Sequence, residues 1–83
     1  MKVLYFAWLK ARAGIGEETV TPPPEVATVG ALLAWLKARS PGHARALADL
    51  AVVRVAVNQE YATLDAPVGA NDEVALFPPV TGG

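Results

Sequence analysis

Val29, Leu32, Leu33 and Leu36 recur at i, i+3, i+4 and i+7. That spacing lays four apolar side chains along one face of a helix, and such a face must be buried against another element. Trp35 widens the face. Thr28 stands where an N-cap is needed, and its hydroxyl can accept from the free N–H groups of the first turn. Lys37 and Arg39 fall in the last turn, where the helix dipole favours positive charge. Ser40-Pro41-Gly42 stops the element. The pattern predicts one principal helix over 29–39 and a weaker, alanine-rich helical stretch over 43–50.

The segments on either side are strand-like. Val3 to Leu9 is bulky, partly β-branched and aromatic, which predicts a strand buried on both faces and interior to a sheet. Gly14 and Gly16 mark a turn. Glu17 to Thr21 alternates well enough for an edge strand, and Pro22-Pro23-Pro24 ends it because proline donates nothing to a ladder. These two strands predict an opening hairpin. Val52 to Val57 is a third strand, Asn58-Gln59-Glu60 a turn, and Tyr61 to Leu64 a short fourth strand. Residues 65–72, with Pro67, Gly69, Asn71 and Asp72, read as loop. Glu73 to Phe77 is the last strand. A hairpin, one crossover helix and further strands predict an α+β domain, a mixed sheet packed on one main helix. A right-handed crossover would bring the last strand beside the first. This is the β-grasp arrangement.

Composition narrows the chemistry. The chain has 83 residues, enough for one core but not for a deep internal cavity. With 53% apolar and 18% charged residues it is too hydrophobic for disorder. A net charge of −1 provides no basic field for nucleic acid or an anionic membrane, and the seven Lys and Arg residues are scattered. The absence of cysteine excludes disulfides, thiolate nucleophiles and cysteine-ligated zinc. His43 is the single histidine, and its position near a helix start reads as surface. Gly14-Ile15-Gly16 lacks the third glycine of a dinucleotide fingerprint and is followed by Glu17-Glu18, so it reads as a turn. The acidic residues are dispersed, and no metal site is expected.

No run approaches the ~18 apolar residues of a membrane span. Met1-Lys2 before Val3–Leu9, with Ala11-Arg12-Ala13 behind, mimics a signal peptide. Lys10 and Arg12 crowd the supposed cleavage site, and removal would delete the most strand-like segment. A core strand of a cytoplasmic protein is the expectation.

The C-terminus is the distinctive segment: Leu76-Phe77-Pro78-Pro79-Val80-Thr81-Gly82-Gly83. Pro78-Pro79 favours extended backbone and forbids helix at Phe77. Six extended residues from Pro78 reach roughly 20 Å. Gly82 and Gly83 lack Cβ atoms, so they can thread a narrow passage or let a nucleotide approach. The division expected is a domain over residues 1–77 and a flexible tail over 78–83. With no activated nucleophile in the chain, the terminal carboxylate becomes the candidate reactive group. It is not electrophilic until adenylated, and a sulfur donor can then convert it to a thiocarboxylate.

The run from Asn71 to Gly83 closely resembles the end of the MoaD sulfur carriers, the small subunits of molybdopterin synthase. Lys2 to Ala7, Thr28 to Leu33 and Val55 to Gln59 resemble that family's first strand, helix start and central strand with its turn. The resemblance implies a ubiquitin-like β-grasp fold. It implies that Gly83 is activated with ATP by an E1-like adenylyltransferase and thiocarboxylated from a sulfur donor such as a cysteine desulfurase or rhodanese. The loaded tail would enter the large synthase subunit and give sulfur to cyclic pyranopterin monophosphate. Gly83 would bear the sulfur, Gly82 would give clearance, and Phe77, Pro78, Pro79, Val80 and Thr81 would form the docking segment. No cofactor would be bound by the carrier itself, because ATP is used by the activating partner.

Three other readings share these features. One is a carrier for thiamine or tRNA thiolation. Another is a ubiquitin-like modifier conjugated to lysines through Gly83. The last is a plain interaction domain with an incidental Gly-Gly end. A carrier must expose what its partners bury in turn, so an apolar patch is expected near the tail, with Phe77 either in it or in the core.

Overall fold

The computed structural model describes residues 1–79. The elements in chain order are β1 (Lys2–Tyr5), α1 (Trp8–Ala13), β2 (Glu17–Thr19), α2 (Val29–Lys37), α3 (Pro41–Ala46), a 3-10 turn (Leu50–Val52), β3 (Arg54–Val57), β4 (Glu60–Ala62) and β5 (Glu73–Phe77). The strands form one mixed sheet in the order β2-β1-β5-β3-β4. β1 runs parallel to β5, with Lys2 opposite Glu73 and Tyr5 opposite Leu76. The other pairings are antiparallel. First and last strands are therefore neighbours, as the expected β-grasp topology requires.

The α2 helix forms where the sequence predicts it. Thr28 Oγ1 accepts from the Ala31 N–H at 3.2 Å, and Val29, Leu32, Leu33 and Leu36 are all buried. They share one core cluster with Val3 and Tyr5 of β1, Val55 of β3, Val74 and Leu76 of β5, and Leu47 after α3. On β5 the alternation is complete: Val74 and Leu76 face the core, while Glu73, Ala75 and Phe77 are half-buried on the other face.

The opening of the chain departs from the sequence reading. β1 stops at Tyr5, and Trp8-Leu9 begin α1 instead of extending a strand. Ala7 takes φ 55° and ψ −131°, which turns the chain off the sheet. Trp8 to Ala13 are mostly good helix formers, and Leu9 reaches the core from the helix. An unbroken apolar run carries no period that could mark this change. β1 is also buried on one face only: Val3 and Tyr5 are covered, Leu4 is half-buried and Lys2 is exposed. The β1–β2 pair is antiparallel as expected, but its connection holds α1. Gly14 ends that helix at φ 83°, its N–H donating to the Lys10 carbonyl at 2.9 Å.

Smaller shifts follow from caps. Ser40 caps α3, so this helix starts at Pro41 and ends at Ala46. Asp49 caps the 3-10 turn, which takes Leu50–Val52 out of the strand expected to begin at Val52. Among the described residues, no helix is long and apolar enough to cross a membrane.

Candidate functional site

The described chain leaves the sheet at the end of β5, in its middle. Phe77 is the last strand residue, and Pro78 and Pro79 follow it, half-buried. Val80, Thr81, Gly82 and Gly83 lie outside the described residues. Phe77, Pro78 and Pro79 form the root of this C-terminal segment.

Register defines that surface. Leu4 of β1 is opposite Ala75 of β5, Ala75 is opposite Ala56 of β3, and Ala56 is opposite Tyr61 of β4. These four residues form an apolar row across the solvent face, because side chains at paired positions share a face. Phe77 lies one pleat further toward the tail and is opposite Arg54. The Tyr61 and Phe77 rings meet with centroids 5.8 Å apart. Tyr61 is 78% exposed and Phe6, just beyond β1, is 48% exposed. Arg54 is exposed too, with its guanidinium donating to the Ala51 carbonyl at 3.0 Å. The expected apolar patch near the tail is therefore present, and Phe77 belongs to it. Tyr61 and Phe6 were not among the residues singled out in the sequence. Only strand register brings Tyr61, sixteen positions earlier, onto Phe77.

The turn between β3 and β4 fixes this register. Asn58 and Gln59 take φ 51° and φ 70°, the paired positive dihedrals of a two-residue hairpin turn. The Asn58 side chain accepts from the Glu73 N–H and donates to Asp72 Oδ1, both at 3.0 Å. Asp72 also receives the Gly69 N–H at 2.7 Å. Its carboxyl lies below the usual range, chiefly through the Asn58 hydrogen bond and then that of Gly69.

A second cluster lies on the core side beneath the root. His43, expected at the surface, is buried. Its Nε2 meets Glu18 Oε2 at 2.7 Å and its Nδ1 meets Ser40 Oγ at 2.7 Å. The Tyr5 hydroxyl donates to the same Glu18 oxygen at 2.7 Å. A carboxylate only accepts, so His43 donates to Glu18 from Nε2, which leaves Nδ1 to pair with the Ser40 hydroxyl. Arg39 approaches the other Glu18 oxygen at 3.7 Å. Burial opposes ionisation of Glu18, but the bonds from Tyr5 and His43, with nearby positive charge, outweigh it and hold the carboxyl low. Burial, then the Glu18 bond, drives the Tyr5 hydroxyl well above its ordinary value.

The Ser40, His43 and Glu18 sequence of contacts has the composition of a hydrolytic relay but not its geometry. Ser40 Oγ already accepts the His43 backbone N–H at 3.1 Å as the cap of α3. His43 faces the core. The cluster is structural. Among the described residues, no three histidine, aspartate or glutamate side chains gather to hold a metal.

Residues 3–83 match the ThiS family. Over all 83 residues the chain is 41% identical to the molybdopterin synthase sulfur carrier subunit of Escherichia coli, covering 99% of that protein. It is 36% identical to the human protein of the same name, over 100% of this chain and 93% of that one. Among solved structures it is similar to SAMP1 from Haloferax volcanii, at 35% identity and TM-score 0.76, covering 100% of this chain and 98% of that one. A structure from Pyrococcus furiosus named for molybdopterin converting factor, subunit 1, superposes with TM-score 0.78 at 34% identity, covering 95% of each chain.

Proposed function

The chain belongs to the ThiS family, and from that membership we propose that it is the sulfur carrier subunit of a molybdopterin synthase, with the Gly83 carboxylate as its working group. The observation that carries this reading is the 41% identity to a sulfur carrier subunit over the whole chain, together with a family match that runs through the terminal Gly-Gly.

In this reading an E1-like adenylyltransferase binds the tail and uses ATP. A Gly83 carboxylate oxygen attacks the α-phosphorus, forming an acyl adenylate and releasing pyrophosphate. The persulfide of a donor such as a cysteine desulfurase or rhodanese then displaces AMP to give an acyl disulfide, and a thiol cleaves its S–S bond, leaving a disulfide on the donor side and the thiocarboxylate on Gly83. The loaded tail enters the large synthase subunit, which supplies the catalytic side chains, and sulfur passes to cyclic pyranopterin monophosphate. The carrier binds no cofactor and works in the cytoplasm, where ATP is supplied. Phe77, Pro78, Pro79, Val80 and Thr81 lead the tail into each partner, and Gly82 leaves room at the reacting end. The row from Leu4 to Tyr61 with Phe77 supports this role: it is an exposed apolar surface beside the point where the tail begins.

The test is mass spectrometry of the chain after incubation with the activating enzyme, ATP and a sulfur donor. Replacement of one oxygen by sulfur at Gly83 is expected, and an unchanged mass with a competent enzyme overturns the reading. The likeness to SAMP1, a second structure of which is named small archaeal modifier protein 1, favours a second reading. There the same adenylate would end in an isopeptide bond to a lysine. Conjugates carrying Gly83 on lysine in cell extract would identify it.

A further inference from the structure

We propose that Glu18 is a positioning residue for the tail: it anchors the end of β1, onto which the last residues of β5 are hydrogen-bonded, and so fixes the direction in which the tail leaves. The inference rests on the carrier reading above.

Glu18 joins four parts of the fold at one carboxylate. It stands on the edge strand β2, with only 14% of its side chain exposed. Tyr5 reaches it from β1, His43 from α3 and Arg39 from the residues after α2. The Tyr5 and His43 rings pack edge to face with centroids 5.8 Å apart. Ser40 closes the far side through His43 Nδ1. Among the described residues, no buried side-chain polar atom lacks a partner. Removing the carboxylate would leave two donors in the core without an acceptor, a costly change.

The connection to the tail is short. Tyr5 is opposite Leu76, and the next residue, Phe6, donates its N–H to the Leu76 carbonyl at 3.0 Å. Leu76 and Phe77 are the last residues before Pro78. Immediately after Phe6, Ala7 is held at φ 55°, a conformation that persists only where surrounding structure enforces it. Tyr5 is thus the fixed point between a relaxed strand and a strained exit, and its hydroxyl is held by Glu18. Without the Glu18 bond Tyr5 stays in the core and the sheet but is held less firmly, so the Phe6–Ala7 corner loosens and the Phe6 to Leu76 bond opens more often. The path of the chain at Phe77 and Pro78 is then less sharply set, and capture of the carrier by the activating enzyme weakens without any change in the chemistry of Gly83.

The experiment compares the full chain with Glu18→Gln and Glu18→Ala, by amide hydrogen exchange and by steady-state thiocarboxylation. In Glu18→Ala the Phe6 amide is expected to exchange about tenfold faster, while the Val55 and Val74 amides change far less. KM for the carrier should rise several-fold with kcat unchanged. Glu18→Gln keeps an acceptor for Tyr5 and should fall between the two. If Glu18→Ala does not fold, Glu18→Gln and His43→Gln carry the same comparison. Equal acceleration at Phe6 and the core amides means that Glu18 serves stability alone, and this overturns the proposal. So does an unchanged KM in Glu18→Ala. Failure of the unsubstituted chain to load overturns the carrier reading instead, and exchange at Phe6 then decides whether Glu18 holds the strand end.

Discussion

Gly42 stands so close to the last turn of α1 that a Cβ there would lie 2.8 Å from the carbonyl oxygen of Ala13. The Arg12 carbonyl would be 3.0 Å away. Backbone atoms cannot swing aside as a side chain would. Gly42→Ala therefore overpacks the α1–α3 contact, at about 1–3 kcal/mol, against about 1 kcal/mol that alanine gains over glycine inside a helix. A net fall in the urea midpoint is expected. A rise would mean that the two helices are free to separate.

Ala7→Gly should act in the opposite direction. The strain of a non-glycine residue at this positive φ is about 1–3 kcal/mol, and the added freedom of glycine in the unfolded chain costs about 0.5–1 kcal/mol. The expected outcome is a stabilisation of about 1 kcal/mol, read as a higher urea midpoint.

Acid should find Glu18. Its carboxyl is lowered in the folded state from an ordinary value of 4.5. Such a group adds stability that is fully present above the unfolded value and is lost as pH falls through the folded one. Denaturation midpoints from about pH 6 down to pH 3 should therefore decline more steeply for the unsubstituted chain than for Glu18→Gln. Parallel curves would show that the carboxylate gains nothing from Tyr5 and His43. Asp72 adds to the same slope in both proteins, so the difference isolates Glu18.

Tyr61→Asp separates docking from folding. Tyr61 is 78% exposed and its ring meets that of Phe77, so the stability loss should stay within about 1 kcal/mol. Placing a charge at the β4 end of the apolar row, against Phe77, should weaken binding to the large synthase subunit ~10-fold. Calorimetric titration of the two subunits measures it. Unchanged affinity would move the docking surface elsewhere.

Removing Gly82 and Gly83 should abolish thiocarboxylation and leave the urea midpoint within about 0.5 kcal/mol of the full chain. The described core, from Val3 to Leu76, contains no residue of the tail.

The sequence reveals those parts of this fold whose signals are local. Four leucine and valine positions with a threonine cap define α2, and a turn on one side with prolines on the other brackets β5. β1 is overextended because Tyr5, Phe6, Trp8 and Leu9 are all apolar, and nothing in that run marks Ala7 as a corner. His43 is misread as a surface residue because the group that explains its burial, Glu18, lies 25 positions earlier. The patch at the tail root is half legible. Phe77 is visible from its place before Pro78, whereas Tyr61 joins it only once β4 is paired with β3 and β3 with β5. The misses at His43 and Tyr61 are contacts made by tertiary pairing and carried by no neighbour in sequence.

The parallel pairing of β1 with β5 also has a consequence for biosynthesis. One side of β1 has no hydrogen-bonding partner until the final strand has emerged from the ribosome, so the sheet closes last of all. A chain interrupted before Glu73 lacks the strand that joins β1 to β3 and so has no continuous sheet.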